Sequence, residues 1–133
     1  MNKKILFDTS IWVDFFLGVK SDQTDLLTNY IDEDLPQYFC PTIIQEILQS
    51  ISNAKQFVQI KESLLVFNIL NDNPIEAAIG AASIYRHLRK NGINIGKSND
   101  CLIALYALKK PANIIHKDRD FDLILNNPDT YKP

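Results

Sequence analysis

At 133 residues, 46% hydrophobic and 23% charged, the chain has the size and composition of one globular domain, which excludes a multidomain machine, a disordered chain and a collagen-like repeat. Its longest apolar run, Cys101 to Leu108, falls well short of the roughly 20 residues that cross a bilayer, so no membrane span is expected. The formal net charge of −2 conceals an asymmetry: residues 1–85 carry 5 Lys and Arg against 11 Asp and Glu, whereas residues 86–119 carry 8 against 2.

A basic third inside an acidic protein reads either as a phosphate-facing surface or as a solvated helix face. The first residues meet Asp8 and Asp14 before any signal-like apolar segment develops, which places the protein in the cytosol. Cys40 and Cys101 stand apart without a CxxC or Cys/His spacing, so buried thiols are expected rather than a disulfide or a zinc site.

In chain order, Ile5 to Phe7 form a short apolar strand, and Thr9 and Ser10 are helix-capping types that open a helix running from about Ser10 to Leu17, stopped near Gly18. A second helix is predicted over Asp22 to Glu33, a strand over Tyr38 to Cys40, and a helix from near Thr42 with Ile43, Ile44, Ile47, Leu48 and Ile51 on one stripe and Glu46 off it. A helix over Ala54 to Glu62 is followed by the apolar run Leu64 to Leu70, read as a third strand, and by a turn at Asn71 to Pro74. Pro74 suits the first turn of a helix that continues to Lys90 and closes at Asn91 and Gly92. Ser98 or Asn99 then caps a helix, apolar nearly all round, that Pro111 halts after Lys110. Asn113 to His116 form a fourth strand and Asp120 to Leu125 a last short helix. Strands alternating with helices predict an α/β fold with a mainly parallel sheet covered on both faces.

In such sheets ligands bind beyond the carboxyl ends of the strands, where strand order reverses. Asp8 follows the first strand and Asp118 the fourth. Asp100 opens the most apolar helix, and Glu46 sits in the first turns after the second strand. Four acids from separated segments can thus converge at one edge. Clustered carboxylates persist only with cations or protons to offset them, and an all-oxygen set without nearby Cys or His favours Mg²⁺ or Mn²⁺ over Zn²⁺. Such an ion supplies the water activation and oxyanion stabilisation that phosphodiester hydrolysis requires. Each acid taken singly also has a plainer account, Asp8 as a helix cap and Asp100 as a dipole partner among them. The aromatic set Trp12, Phe15 and Phe16 reads first as core, and His87 and His116 as structural or solvent-facing.

Four blocks carry a resemblance: Ile5-Leu6-Phe7-Asp8-Thr9-Ser10-Ile11-Trp12; Thr42-Ile43-Ile44-Gln45-Glu46-Ile47; Gly92-Ile93 through Asn99-Asp100-Cys101-Leu102-Ile103-Ala104; and Ile115-His116-Lys117-Asp118-Arg119-Asp120-Phe121. In this order and spacing the sequence resembles the PIN domain, and within it the short toxin ribonucleases of the VapC type. The resemblance implies a three-layer α/β/α fold and a Mg²⁺ or Mn²⁺ site built by Asp8, Glu46 and Asp100. A fourth acid belongs in the last block, where Asp118 fits the loop spacing and Asp120 is the possible substitute. Ser10 matches the small hydroxyl residue that helps hold the site and joins the substrate-binding candidates. The resemblance further implies an RNA substrate cut to leave a 5′ phosphate, a cognate antitoxin that occludes the site, and a homodimer. Arg86, Arg89, Lys90, Lys97, Lys117 and Arg119, from the basic third, are the candidates for holding RNA phosphates.

The reading is therefore a metal-dependent endoribonuclease in which Asp8, Glu46, Asp100 and Asp118 hold the metal and carry catalysis. A noncatalytic RNA-binding or assembly module that keeps only the fold is the alternative. A response-regulator receiver is disfavoured, because it needs adjacent acids after the first strand and Asp8 is followed by Thr9.

Overall fold

The computed structural model describes residues 4–126. Four strands, β1 (Lys4–Phe7), β2 (Tyr38–Phe39), β3 (Asn68–Ile69) and β4 (Ala112–Ile115), form a parallel sheet in the order β3-β2-β1-β4. Between and after them run α1 (Thr9–Leu17), α2 (Asp22–Asp32), α3 (Pro41–Gln49), α4 (Ala54–Leu64), α5 (Pro74–Lys90), α6 (Ser98–Lys109) and α7 (Arg119–Leu125). Leu6, Phe7 and Phe39 are fully buried, as expected of short apolar strands covered on both faces.

The connections explain the layers. From β1 to β2 to β3 the chain steps one way across the sheet, and from β3 it returns past β1 to place β4 on the far side. Right-handed crossovers in opposite directions put α1 to α4 on one face and α5 and α6 on the other, a three-layer α/β/α arrangement. Within the layers α1 packs on α2 and α3, α3 on α4, and α5 on α6, which also meets β4 and α7; α3 and α6 touch as well. Strand order reverses between β1 and β4, the pair in longest register, from Lys4 opposite Ala112 to Phe7 opposite Ile115. The crevice for a ligand therefore opens beyond Phe7 and Ile115.

Helix α6 is the centre of the core. Cys101, Ile103, Ala104, Leu105, Tyr106 and Ala107 are all buried, which accounts for its apolar circumference. Gly80 lets α5 approach it, since a Cβ at that position would lie 2.8 Å from Leu105 Cδ1. Trp12 is buried and stacks with Phe39 at 5.0 Å between ring centroids, so this part of the aromatic set is core, while Phe16 at the end of α1 is exposed. Both cysteines are free and buried, and burial pushes the thiol of Cys40 up to about 12 and that of Cys101 to about 11, so both stay protonated at neutral pH. No helix among the described residues is long and apolar enough to cross a membrane.

Three local expectations are corrected. The run Leu64 to Leu70 is not one strand. Leu64 ends α4 and is buried, Leu65 and Val66 point outward in a turn at 60% and 81% exposure, and the strand is confined to Asn68 and Ile69, with the Leu70 N–H still donating to the Phe39 carbonyl. An apolar run without a period does not distinguish these states. Helix α6 begins without a Ser98 or Asn99 side-chain cap: Lys97 holds the cap position with no side-chain bond, and Ser98, Asn99 and Asp100 make up the first turn. Helix α1 is capped by Asp8, as the plainer account of that acid has it, one residue ahead of the two hydroxyl residues.

Candidate functional site

The backbone N–H of Asp8 donates to the carbonyl of Ile115 at 2.9 Å, tying the end of β1 to the end of β4 at the reversal point. Asp8 is 7% exposed, and its Oδ2 accepts from Ser10 Oγ at 2.7 Å and from the Ser10 N–H at 3.3 Å. From α3, Glu46 reaches the same region, where the Thr9 hydroxyl donates to its Oε1 at 2.8 Å. Asp118 caps α7, its Oδ1 accepting from the Asp120 N–H at 2.9 Å, and Asp120 Oδ2 accepts from the Gly96 N–H at 3.2 Å. Asp100 arrives on the first turn of α6.

Two adjoining concavities join these groups. Asp8, Ser10, Lys97, Asp100, Lys117, Asp118 and Arg119 line one of about 500 Å³. The other, of about 270 Å³, shares Asp8, Ser10, Lys97, Asp100 and Lys117 and adds Thr9, Val13, Asp14 and Glu46. A separate hollow of about 500 Å³ lies at the opposite, amino ends of the strands, lined by Lys4, Ile5, Tyr30, Leu35, Pro36, Tyr38 and Asn113. No carboxylate is among its lining residues.

Asp100 is the electrostatic extreme of the site. Burial pushes its carboxyl up to about 7, and the negative charges of Asp8, Asp118 and Glu46 push the same way against the opposing pull of Lys97. Only 5% of the residue is exposed, and its Oδ2 is buried with no hydrogen-bond partner. A buried carboxylate oxygen facing other carboxylates and bonded to nothing is costly, and a cation is the group that relieves it. Asp100, Asp118 and Asp120 offer oxygens within 4.8 Å of one another, while Asp8 and Glu46 stand on the adjoining wall. This donor set is all oxygen and fits a hard divalent ion.

The sequence family of this arrangement is identified by comparison. The profile of the PIN domain matches residues 5–124. The chain belongs to the PIN domain family. VapC ribonuclease Mb1587 of Mycobacterium bovis is 32% identical over 121 residues, covering 90% of each chain. Among solved structures, VapBC-1 from nontypeable Haemophilus influenzae superposes with a TM-score of 0.68 at 21% identity over 92% of both chains. FitAcB from Neisseria gonorrhoeae gives 0.64 at 21% identity over 90% of this chain and 92% of that one.

Of the cations singled out in the sequence, this PIN domain places Lys97, Lys117 and Arg119 on the walls of the acidic concavities. Arg86, Arg89 and Lys90 line neither. They lie at the end of α5, where positive charge complements the helix dipole, and Arg89 stacks on Tyr85 with 5.6 Å from guanidinium to ring centroid. Ser10 lines both concavities, and its hydroxyl donates to Asp8 Oδ2. His116 stacks on Phe121 at 5.1 Å and sets its Nε2 3.3 Å from Asp122, away from the carboxylate cluster's lining residues.

Two residues of the PIN domain site went unnoticed in the sequence. Thr9 looks like a helix cap and instead steers Glu46 across from another helix. Asp14 sits six residues past Asp8 on α1, lines the smaller concavity, and pairs with Lys117 at 2.5 Å. The first had a signal, a hydroxyl next to a strand-end acid; the second had none, because its partner is 103 residues away.

Proposed function

We propose that this PIN domain is a divalent-cation-dependent endoribonuclease of the VapC type, the toxin half of a toxin–antitoxin pair acting in the cytoplasm. The observation that carries the reading is the Asp100 carboxylate, buried and unpartnered at Oδ2 among Asp8, Asp118 and Glu46. The relatives named VapC ribonuclease supply the substrate class, RNA, and the likeness to VapBC and FitAcB supports a small antitoxin protein as the partner.

Asp8, Glu46, Asp100 and Asp118 are the residues that would hold Mg²⁺ or Mn²⁺, with Asp120 beside Asp118 as the reserve ligand. An ion held there would supply a water of lowered pKa and would offset charge on the phosphoryl oxygens. The chain's own contribution is preorganisation. Ser10 fixes Asp8 and Thr9 fixes Glu46, so each carboxylate is held by a neighbouring hydroxyl before substrate arrives. Lys97, Lys117 and Arg119 face the RNA backbone and counter the repulsion between its phosphates and the acids. The buried position of Asp100 excludes water from the innermost ligand, which strengthens its hold on a cation.

The test is cleavage of a structured RNA by the purified protein. Cleavage with Mg²⁺ or Mn²⁺ that leaves a 5′ phosphate and stops when EDTA is added is expected. RNA binding that weakens with salt, with no cleavage in either metal, would replace the proposal with the noncatalytic binding module.

A further inference from the structure

The acidic concavities contain a cation whose position is set by a group outside the proposed ligand set. Lys117, in the loop between β4 and α7, extends its ammonium to Asp14 on α1, with 2.5 Å between Nζ and Oδ2. The Lys117 side chain is half exposed and that of Asp14 is largely covered, at 14% exposure. Both line the smaller concavity together with Asp8, Glu46 and Asp100, and Lys117 also lines the larger one beside Asp118. Lys117 therefore borders both concavities, one with Asp8, Glu46 and Asp100 and the other with Asp8, Asp100 and Asp118.

We propose that Asp14 is a positioning residue that anchors Lys117 at the rim of the carboxylate cluster, keeping its ammonium on the path of an RNA phosphate and out of the cation site. Lysine is a compact point charge on a flexible four-carbon stem with three donors. One donor spent on Asp14 leaves two for non-bridging phosphate oxygens, and the half-exposed side chain keeps them open to solvent. Without the anchor, the strongest attraction available to a mobile ammonium is the cluster itself, where it would compete with the divalent ion. The proposal rests on the ribonuclease reading for its substrate, yet it concerns only how the chain's own charges are sorted before substrate binds.

A double-mutant cycle read by calorimetric Mn²⁺ titration separates this role from a plain charge effect. Asp14→Asn in the wild-type background is expected to weaken Mn²⁺ binding roughly tenfold, and in a Lys117→Met background less than about twofold, because no ammonium remains to fall into the site. Asp14→Glu, which preserves the anchor, should bind Mn²⁺ like the wild type. At saturating Mn²⁺ the loss of RNA cleavage in Asp14→Asn should fall mainly on KM, since the ammonium no longer stands where the phosphate passes. Equal weakening of Mn²⁺ binding by Asp14→Asn in both backgrounds would overturn the anchoring role and leave only a lost negative charge. A wild-type protein that binds Mn²⁺ and cleaves RNA while the cycle is additive refutes this inference alone; a wild type that does neither refutes the ribonuclease reading with it.

Discussion

Asp100→Asn is expected to lower kcat/KM for RNA cleavage by on the order of 10³-fold or more, because it removes the innermost charged ligand of the proposed cation site. The same substitution should make the metal-free protein more stable at pH 8, by about 1–3 kcal/mol, because it removes a charge that folding buries among like charges. The two effects have opposite signs and one cause. Asp100 is 5% exposed, its Oδ2 has no partner, and Asp8, Asp118 and Glu46 all disfavour its ionisation. A residue kept for packing or helix capping would behave otherwise, with its loss costing stability and leaving activity intact. Chemical denaturation of the two proteins without metal, run beside the cleavage assay, checks both halves. Full activity in the variant, or a loss of activity explained by unfolding, contradicts the assignment.

The second large effect is the dependence of stability on pH. The Asp100 carboxyl is raised from an ordinary value of 3.8 to about 7 in the folded chain. Between these values the folded state holds a proton that the unfolded state has released, so stability falls as pH rises through this window. One pKa unit corresponds to about 1.4 kcal/mol, which makes the decline attributable to this group up to about 4 kcal/mol, complete above pH 7. A divalent ion binds the ionised form and should reverse the trend, raising Tm most at pH 8 and little at pH 5. Thermal unfolding in EDTA and in Mn²⁺ at several pH values measures this directly. In Asp100→Asn the part of the pH slope that comes from this carboxyl should vanish. A metal-free Tm that rises steadily from pH 5 to pH 8 would show that Asp100 is not the destabilised group described here.

Much of this architecture is legible in the linear sequence. Asp8 and Asp118 could be placed at one edge because each follows a short apolar strand in a βα pattern, and parallel strands bring their carboxyl ends to the same side. Glu46 was separable from its helix by its position off the Ile43, Ile47 stripe. What could not be read depends on contacts between distant segments. The pairing of Thr9 with Glu46 requires α1 to face α3, and that of Asp14 with Lys117 requires α1 to face the loop after β4. Neither has a local pattern. The basic third was visible as a charge count, but a count does not tell which charges reach a crevice. Lys97, Lys117 and Arg119 do so because they flank the ends of α6 and β4, whereas Arg86, Arg89 and Lys90 finish α5. The run Leu64 to Leu70 misled for a related reason: seven residues of mostly apolar character contain a helix end, an exposed turn and a two-residue strand.

The lining of the larger concavity separates Asp118 from Asp120 as candidates for the fourth acid. Both offer oxygens to the cluster with Asp100 and each accepts one backbone N–H, but of the two only Asp118 lines the larger concavity.

The convergence of the acids on one divalent ion is tested most directly by crystals soaked in Mn²⁺ and measured at a wavelength where manganese scatters anomalously. The account predicts an anomalous peak bounded by the carboxylates of Asp8, Asp100 and Asp118, lost in Asp100→Asn crystals. Manganese bound elsewhere on the surface, with no peak among those three side chains, would contradict it.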